Sequence, residues 1–261
     1  MNHSHAAELL LSMRRSQRVV AALPPEFLPP THEDAYRIQD ALVEQLQAAN
    51  GSRTIGYKAA ATNDVAQKQL KVTAPFSGRL LSHSTHRSGA SLSVATFTQR
   101  IIEPEFGFVV GTDVPAAKEP YRGETIAHFI AAVIPAIEVV DHRYADWTAV
   151  GAPSLIADNA IHGAWIEGEP ARDWKTADLA THATSLIVNG ETVRTGSGAA
   201  VLGHPMNVVA WLANELARRG SGLRKGDKIT TGTTTAVYFA NPGDRIIADF
   251  GAFGRAEVSF V

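Results

Sequence analysis

The chain has 261 residues, 45% of them hydrophobic and 19% charged, with a formal net charge of −2. That length and balance describe a globular chain that buries most of its surface, with no electrostatic footprint for DNA, RNA or an anionic membrane. It contains no cysteine, which excludes disulfides, thiolate metal ligands and cysteine nucleophiles and suits a reducing cytoplasm.

The opening segment, MNHSHAAELLLSMRRSQRVV, places its basic residues after its apolar run, so it is not a secretory signal. No stretch approaches the ~18 apolar residues of a membrane span, and a cytoplasmic protein is expected. The pattern predicts a helix over residues 5–22, broken by LPPEFLPP, which holds four prolines in eight residues. A second helix is predicted over THEDAYRIQDALVEQLQAANG. Thr31 is its N-cap, Glu33 and Asp34 occupy the first turn, Ala35, Ile38, Leu42 and Leu46 share a face, and Asn50-Gly51 closes it. RTIGYKAAATN reads as a strand running into a loop, ETIAHFIAAVI as a third helix and HPMNVVAWLANELARRG as a fourth. SLIVNGETV signals a hairpin around Asn189-Gly190, and the C-terminal segment is a series of short strands separated by NPGD and GAFG. No repeat is present. The expected class is α+β, with a helical N-terminal region over 1–75 and a β-rich core over 76–261, compatible with one continuous domain.

Within RIIEPEFGFVVG, Glu103 and Glu105 interrupt an apolar strand pattern. Residues i and i+2 of a strand share a face, with Cα atoms roughly 6 to 7 Å apart. The two carboxylates therefore project together and need solvent, a basic partner or a divalent cation. Glu138 occupies a similar apolar run in VIPAIEVVDHRY. Oxygen ligands without cysteine suit Mg²⁺ or Mn²⁺ better than Zn²⁺. The open positions of such an ion can take a chelating 2-oxo or 2-hydroxy acid.

At these residues the sequence resembles the fumarylacetoacetate hydrolase superfamily, and within it the 2-keto-4-pentenoate hydratase / 4-oxalocrotonate decarboxylase branch. TIGYKAAAT, IIEPEFGFVVG, VIPAIEVVDHR, ADNAIHGAWIEG, VLGHPMNVVAWLANEL and NPGDRIIADFGAFGRAEVSF carry the likeness along almost the whole chain. The resemblance implies a rolled mixed β-sandwich or barrel core and a homo-oligomer. It also implies a Mg²⁺ or Mn²⁺ site on Glu103, Glu105 and Glu138, with Lys58 and Asp158 as catalytic groups and Asn159 and Thr235 beside the substrate. Relatives carry an acid in a turn that here reads PFSG, with Phe76 in its place, which makes that part of the substrate wall apolar. His142 and His162 are candidate bases, although a lone histidine is more often structural. Trp165 reads as core, and Arg143 as a surface or interface partner of Asp141.

The implied reaction is metal-dependent hydration of a 2-hydroxy-2,4-dienoate or 2-oxo-enoate, as in meta-cleavage catabolism of aromatic compounds. The same scaffold can serve a 2-oxo acid decarboxylase or an acylpyruvate-type C–C hydrolase. A third reading is a non-catalytic subunit accompanying a decarboxylase or hydratase partner, in which Phe76 marks a lost proton-transfer group.

Overall fold

The computed structural model describes residues 2–261. Helix α1 (His3–Ser16) is capped by the Asn2 side chain and ends where Gln17 turns left-handed, with φ 52°. It is shorter than the apolar pattern predicts because the chain leaves the helix there, and Val20 bridges Tyr144. Helix α2 (His32–Asn50) has the predicted limits. Thr31 accepts from the Asp34 N–H, and Gly51 (φ 58°) closes the helix in the left-handed region that suits glycine. Its Ala35, Ile38, Leu42 and Leu46 are buried with Leu10 and Met13 of α1.

Strand β1 (Thr54–Ala60) leads into a short helix, α3 (Asp64–Leu70), and then into β2 (Phe76–Leu81), β3 (Thr85–Arg87) and β4 (Ala90–Leu92). The long strand β5 (Ile101–Val110) is followed by α4 (Gly123–Ile126), β6 (Ile130–Val140), α5 (Ala152–Ala157) and β7 (His162–Glu167). The β8–β9 hairpin (Ala183–Val188, Glu191–Ser197) turns at Asn189 and Gly190, both with positive φ, as the type I′ signal predicts. Helix α6 (Pro205–Arg218) then precedes β10 (Lys228–Thr233), β11 (Tyr238–Phe239), β12 (Arg245–Asp249) and β13 (Arg255–Phe260). No helix among the described residues is long and apolar enough to cross a membrane.

One mixed sheet runs β2-β1-β10-β5-β6-β7-β3, with β11 added to β5, and a second runs β4-β13-β12-β8-β9. The sheets share one core, in which the rings of Phe106 and Phe250 meet edge to face at 4.9 Å. Among the described residues neither sheet closes on itself, so the sandwich expectation holds and the barrel expectation does not.

A further sequence expectation fails for a physical reason. ETIAHFIAAVI is helical only through Ile126 and a following 3₁₀ turn. From Ile130 it is β6, which pairs with β5 along its length and is buried on both faces. A doubly buried strand has no period-2 alternation and cannot be told from a buried helix by periodicity. β1, on the N-terminal side of residues 75/76, lies between β2 and β10.

Candidate metal centre

The β5–β6 register sets Glu103 directly opposite Glu138, and Glu105 lies two residues along the same strand. One carboxylate oxygen from each of the three lies within 4.8 Å of the others. Glu105 and Glu138 are fully buried, while Glu103 is half-buried and opens onto a cavity. Directly opposed like charges destabilise a sheet, and burial compounds the effect. Burial first, and the Glu138 charge second, push Glu103 up to about 7 and Glu105 well above the ordinary glutamate value. Burial opposes ionisation of Glu138 too, but the Lys58 ammonium and a hydrogen bond from His162 outweigh it and hold that group low.

Each of the two buried carboxylates has one anchored oxygen and one free oxygen. Glu105 Oε2 accepts the Gly232 N–H at 2.8 Å. Gly232 has φ +97°, and a Cβ there would lie 1.8 Å from Thr62 Oγ1, so the donor position admits only glycine. Glu138 Oε1 meets His162 Nδ1 at 2.7 Å and Lys58 Nζ at 3.1 Å. Glu105 Oε1 and Glu138 Oε2 are buried without a hydrogen-bond partner, a condition that costs about 1–3 kcal/mol per group or more for a charge. Three ionised carboxylates and the Lys58 ammonium sum to −3 + 1 = −2. A hard divalent cation would match that charge, the all-oxygen donor set and the two orphaned oxygens, beside a cavity that Glu103 lines.

Lys58, on β1, is 2% exposed and also donates to the Ala160 carbonyl at 2.9 Å. That carbonyl sits in a strained turn: Asn159, Ala160 and Ile161 have φ of 52°, 51° and 52°. The left-handed region is costly for a β-branched residue such as Ile161, and strain of this kind persists only where the surroundings enforce it. Asn159 brackets β2, accepting from the Arg79 N–H (2.7 Å) and donating to the Arg79 carbonyl (3.0 Å). Asp158 is wholly buried between two arginines. Its Oδ1 accepts from Arg14 Nε at 2.7 Å and its Oδ2 from Arg143 Nε at 2.7 Å. Arg143 also pairs with Asp141 at 2.8 Å.

The structure therefore brings Lys58, Phe76 and the three glutamates to one place and leaves Asp158, Asn159 and Thr235 out of the cavity lining. Asp158 does not reach the cavity as an acid, because both its oxygens are taken by guanidinium groups. Asn159 holds backbone, and the Thr235 hydroxyl donates to the Ala236 carbonyl. Arg143 is 1% exposed, not on the surface. Phe76 does line the cavity, but it opens strand β2 opposite Ala60, so the pleat of the sheet aims it instead of a tight turn. Around Lys58, Glu103 and Phe76 the lining is Ala59, Ala60, Ala61, Ala66, Leu70, Val140, Trp147, Leu155 and Ile161. Its other side-chain polar groups are Thr62, Asn63 and Thr233. Sequence reading missed α3, which supplies Ala66 and Leu70. Its signal was Asn63, whose side chain caps the helix by accepting from the Ala66 N–H. It also missed Thr233 and the contact of His162 with Glu138. A larger groove between α2 and α6, lined by Tyr36, Arg37, Trp211 and Arg218, lies away from the carboxylates.

Asp158→Ala leaves Arg14 without its counter-charge and Arg143 with Asp141 alone, and should cost about 3–5 kcal/mol in denaturant unfolding; unchanged stability with lost activity would instead make Asp158 a proton-transfer group. For the metal-free protein, Glu103 titrates near 7 when folded and near its ordinary 4.5 when unfolded. The folded state binds more protons across that window, so stability should fall as pH rises from about 4.5 to about 7. Binding of a cation at about pH 6 should release protons and remove that slope, and Glu105→Ala should abolish cation-dependent thermal stabilisation. Thermal stability of the wild type that ignores both Mg²⁺ and pH across this range would contradict the assignment.

Comparison with known proteins bears on the same residues. Residues 48–261 match the family model described as fumarylacetoacetate (FAA) hydrolase C-terminal. The chain is 32% identical over 255 residues to a 2-keto-4-pentenoate hydratase of Paraburkholderia xenovorans (strain LB400), covering 98% of this chain and 93% of that one. It is 34% identical over 251 residues to a 2-hydroxyhexa-2,4-dienoate hydratase of Comamonas testosteroni, covering 94% and 92%. The 4-oxalocrotonate decarboxylase of Pseudomonas putida G7, solved in complex with magnesium and adipate, superposes with a TM-score of 0.91 at 30% identity, covering 99% of this chain and 97% of that one. The family match includes Lys58, Phe76 and all three glutamates, and the chain that assembles them belongs to the fumarylacetoacetate hydrolase family.

Proposed function

We propose that the protein is a divalent-metal-dependent hydratase of a 2-hydroxy-2,4-dienoate or its 2-oxo-enoate tautomer, with Mg²⁺ or Mn²⁺ held by Glu103, Glu105 and Glu138. The observation that carries this reading is the pair of orphaned carboxylate oxygens beneath a cavity whose far walls are apolar. The identities to two hydratases support the reaction class. When bound, the cation supplies Lewis acidity and a chelation point for the substrate's C1 carboxylate and C2 oxygen. Everything else falls to side chains. Lys58 is the cation of the cavity lining. Its ammonium is close enough to that end of the site to orient the carboxylate and to deliver a proton as charge develops on the substrate. The Ala160 carbonyl and Glu138 hold Nζ in place. Phe76, Leu70, Leu155 and Ile161 give the cavity apolar walls that exclude water from the tail, and Thr62, Asn63 and Thr233 of the same lining offer neutral hydrogen bonds.

The tail region has no second cation. Burying an unpaired carboxylate there would cost several kcal/mol, so the favoured substrate is a monocarboxylate with an alkyl or aryl tail. Decarboxylation of a 2-oxo diacid is the second reading, supported by the 0.91 superposition on a decarboxylase. A homo-oligomeric assembly and an accompanying decarboxylase partner, both implied by the resemblance, belong to this proposal.

Lys58→Met should leave Mg²⁺ binding intact and lower kcat/KM by about 100-fold; wild-type kinetics in that variant would remove Lys58 from the site. In a substrate panel, the wild type should turn over dienoates with apolar tails at least about tenfold faster than dicarboxylic ones. Phe76→Asp should lose that preference. Strong wild-type turnover of a dicarboxylate would favour the decarboxylase reading.

A further inference from the structure

The proposed chemistry leaves His162 without a role, yet its surroundings are unusually specific. The residue opens β7 opposite Val140, and the β6–β7 register slips between Val139 and Val140. The slip makes Gly163 the extra residue of a bulge, a device that re-aims neighbouring side chains. A Cβ on Gly163 would lie 2.7 Å from the Val139 carbonyl oxygen and 2.8 Å from Asp141 Cβ, so the close approach that forms the bulge requires glycine. The His162 carbonyl is fixed from the other side by Arg14 Nη1 at 3.1 Å. The ring is 2% exposed. Its Nδ1 lies 2.7 Å from Glu138 Oε1, while Nε2 is buried with no partner.

An orphaned ring nitrogen is a liability in an apolar interior, and a phenyl ring would fill the same space without it. The imidazole is therefore at that position for its Nδ1–H. The acceptor is the oxygen of Glu138 that Lys58 also touches. Lys58 carries its charge on a flexible stem and is the group drawn toward an incoming substrate carboxylate. When it moves, only His162 keeps Oε1 occupied and the carboxylate plane fixed.

We propose that His162 is a positioning residue. It anchors Oε1 of Glu138, so that Oε2 is presented, together with Glu103 and Glu105, to one divalent cation, and it holds that arrangement when Lys58 turns to substrate. This inference rests on the metal-centre reading given above.

The test is Mn²⁺ affinity of purified protein without substrate, followed by the EPR signal of free Mn²⁺, for the wild type, His162→Phe, His162→Asn and His162→Gln. The Asn amide can place an N–H where Nδ1 stands, whereas that of Gln reaches the Nε2 position. We expect one site in the wild type, a 10- to 100-fold weaker Kd in His162→Phe, a Kd within about threefold of wild type in His162→Asn, and weakening in His162→Gln. The metal-free melting temperature of His162→Phe should fall only modestly, because Lys58 still holds Oε1 of Glu138. Should His162→Phe not fold, the Asn and Gln pair carries the comparison. Wild-type affinity in the Phe variant, or equal affinities in Asn and Gln, would overturn the positioning role while leaving the metal centre standing. Absence of a one-to-one Mn²⁺ site in the wild type would overturn the metal centre and the inference together.

Discussion

Three carboxylates converge where water is largely excluded, and the surrounding structure answers that repulsion. At about 4 Å, two like charges repel by about 4 kcal/mol even in a moderately polarisable interior, and two of these three groups are fully buried. The fold supplies partial relief in ordered positions: a backbone N–H on Glu105, and an ammonium and an imidazole on Glu138. The unrelieved remainder is two charges and two unpartnered oxygens, and a divalent cation with an oxygen-rich coordination shell satisfies both.

The second layer of the site is a set of supports for those donors. Gly232 delivers its N–H only in a backbone conformation that brings it against Thr62. Lys58 is held by a carbonyl in the left-handed turn 159–161, and that turn is braced by Asn159 on β2 and by Asp158 between Arg14 and Arg143. The N-terminal helix thereby takes part in the site through Arg14, although none of its residues lines the cavity. A buried ion network so complete is weak evidence for net stability but strong evidence for a fixed geometry, since removal of any member strands another charge.

Much of this was legible in the sequence. The limits of α2, the β8–β9 hairpin and the convergence of the three glutamates follow from capping, turn chemistry and carboxylates set into apolar strand patterns. Phe76 was placed correctly at the cavity but for the wrong local reason, since a strand aims it. Asp158 and Asn159 were read as facing substrate, and their side chains bond Arg14, Arg143 and the Arg79 backbone; in sequence, an acid and an amide beside a pocket look alike whichever way they face. That distinction depends on Arg14, 144 residues away in sequence from Asp158. The helical reading of ETIAHFIAAVI failed because periodicity is silent for a strand covered on both faces. His162 was weighed as a base or a structural histidine, since nothing local reveals that a bulge at Gly163 turns its ring onto Glu138.

The most direct measurement is a crystal structure of the protein grown with millimolar Mn²⁺ and examined by anomalous scattering. The expected result is a single strong peak about 2.1–2.2 Å from Glu105 Oε1, from Glu138 Oε2 and from an oxygen of Glu103, with Lys58 Nζ outside the coordination shell. A map with no peak among these carboxylates, or one in which Glu103 and Glu138 diverge toward solvent, would contradict the metal centre.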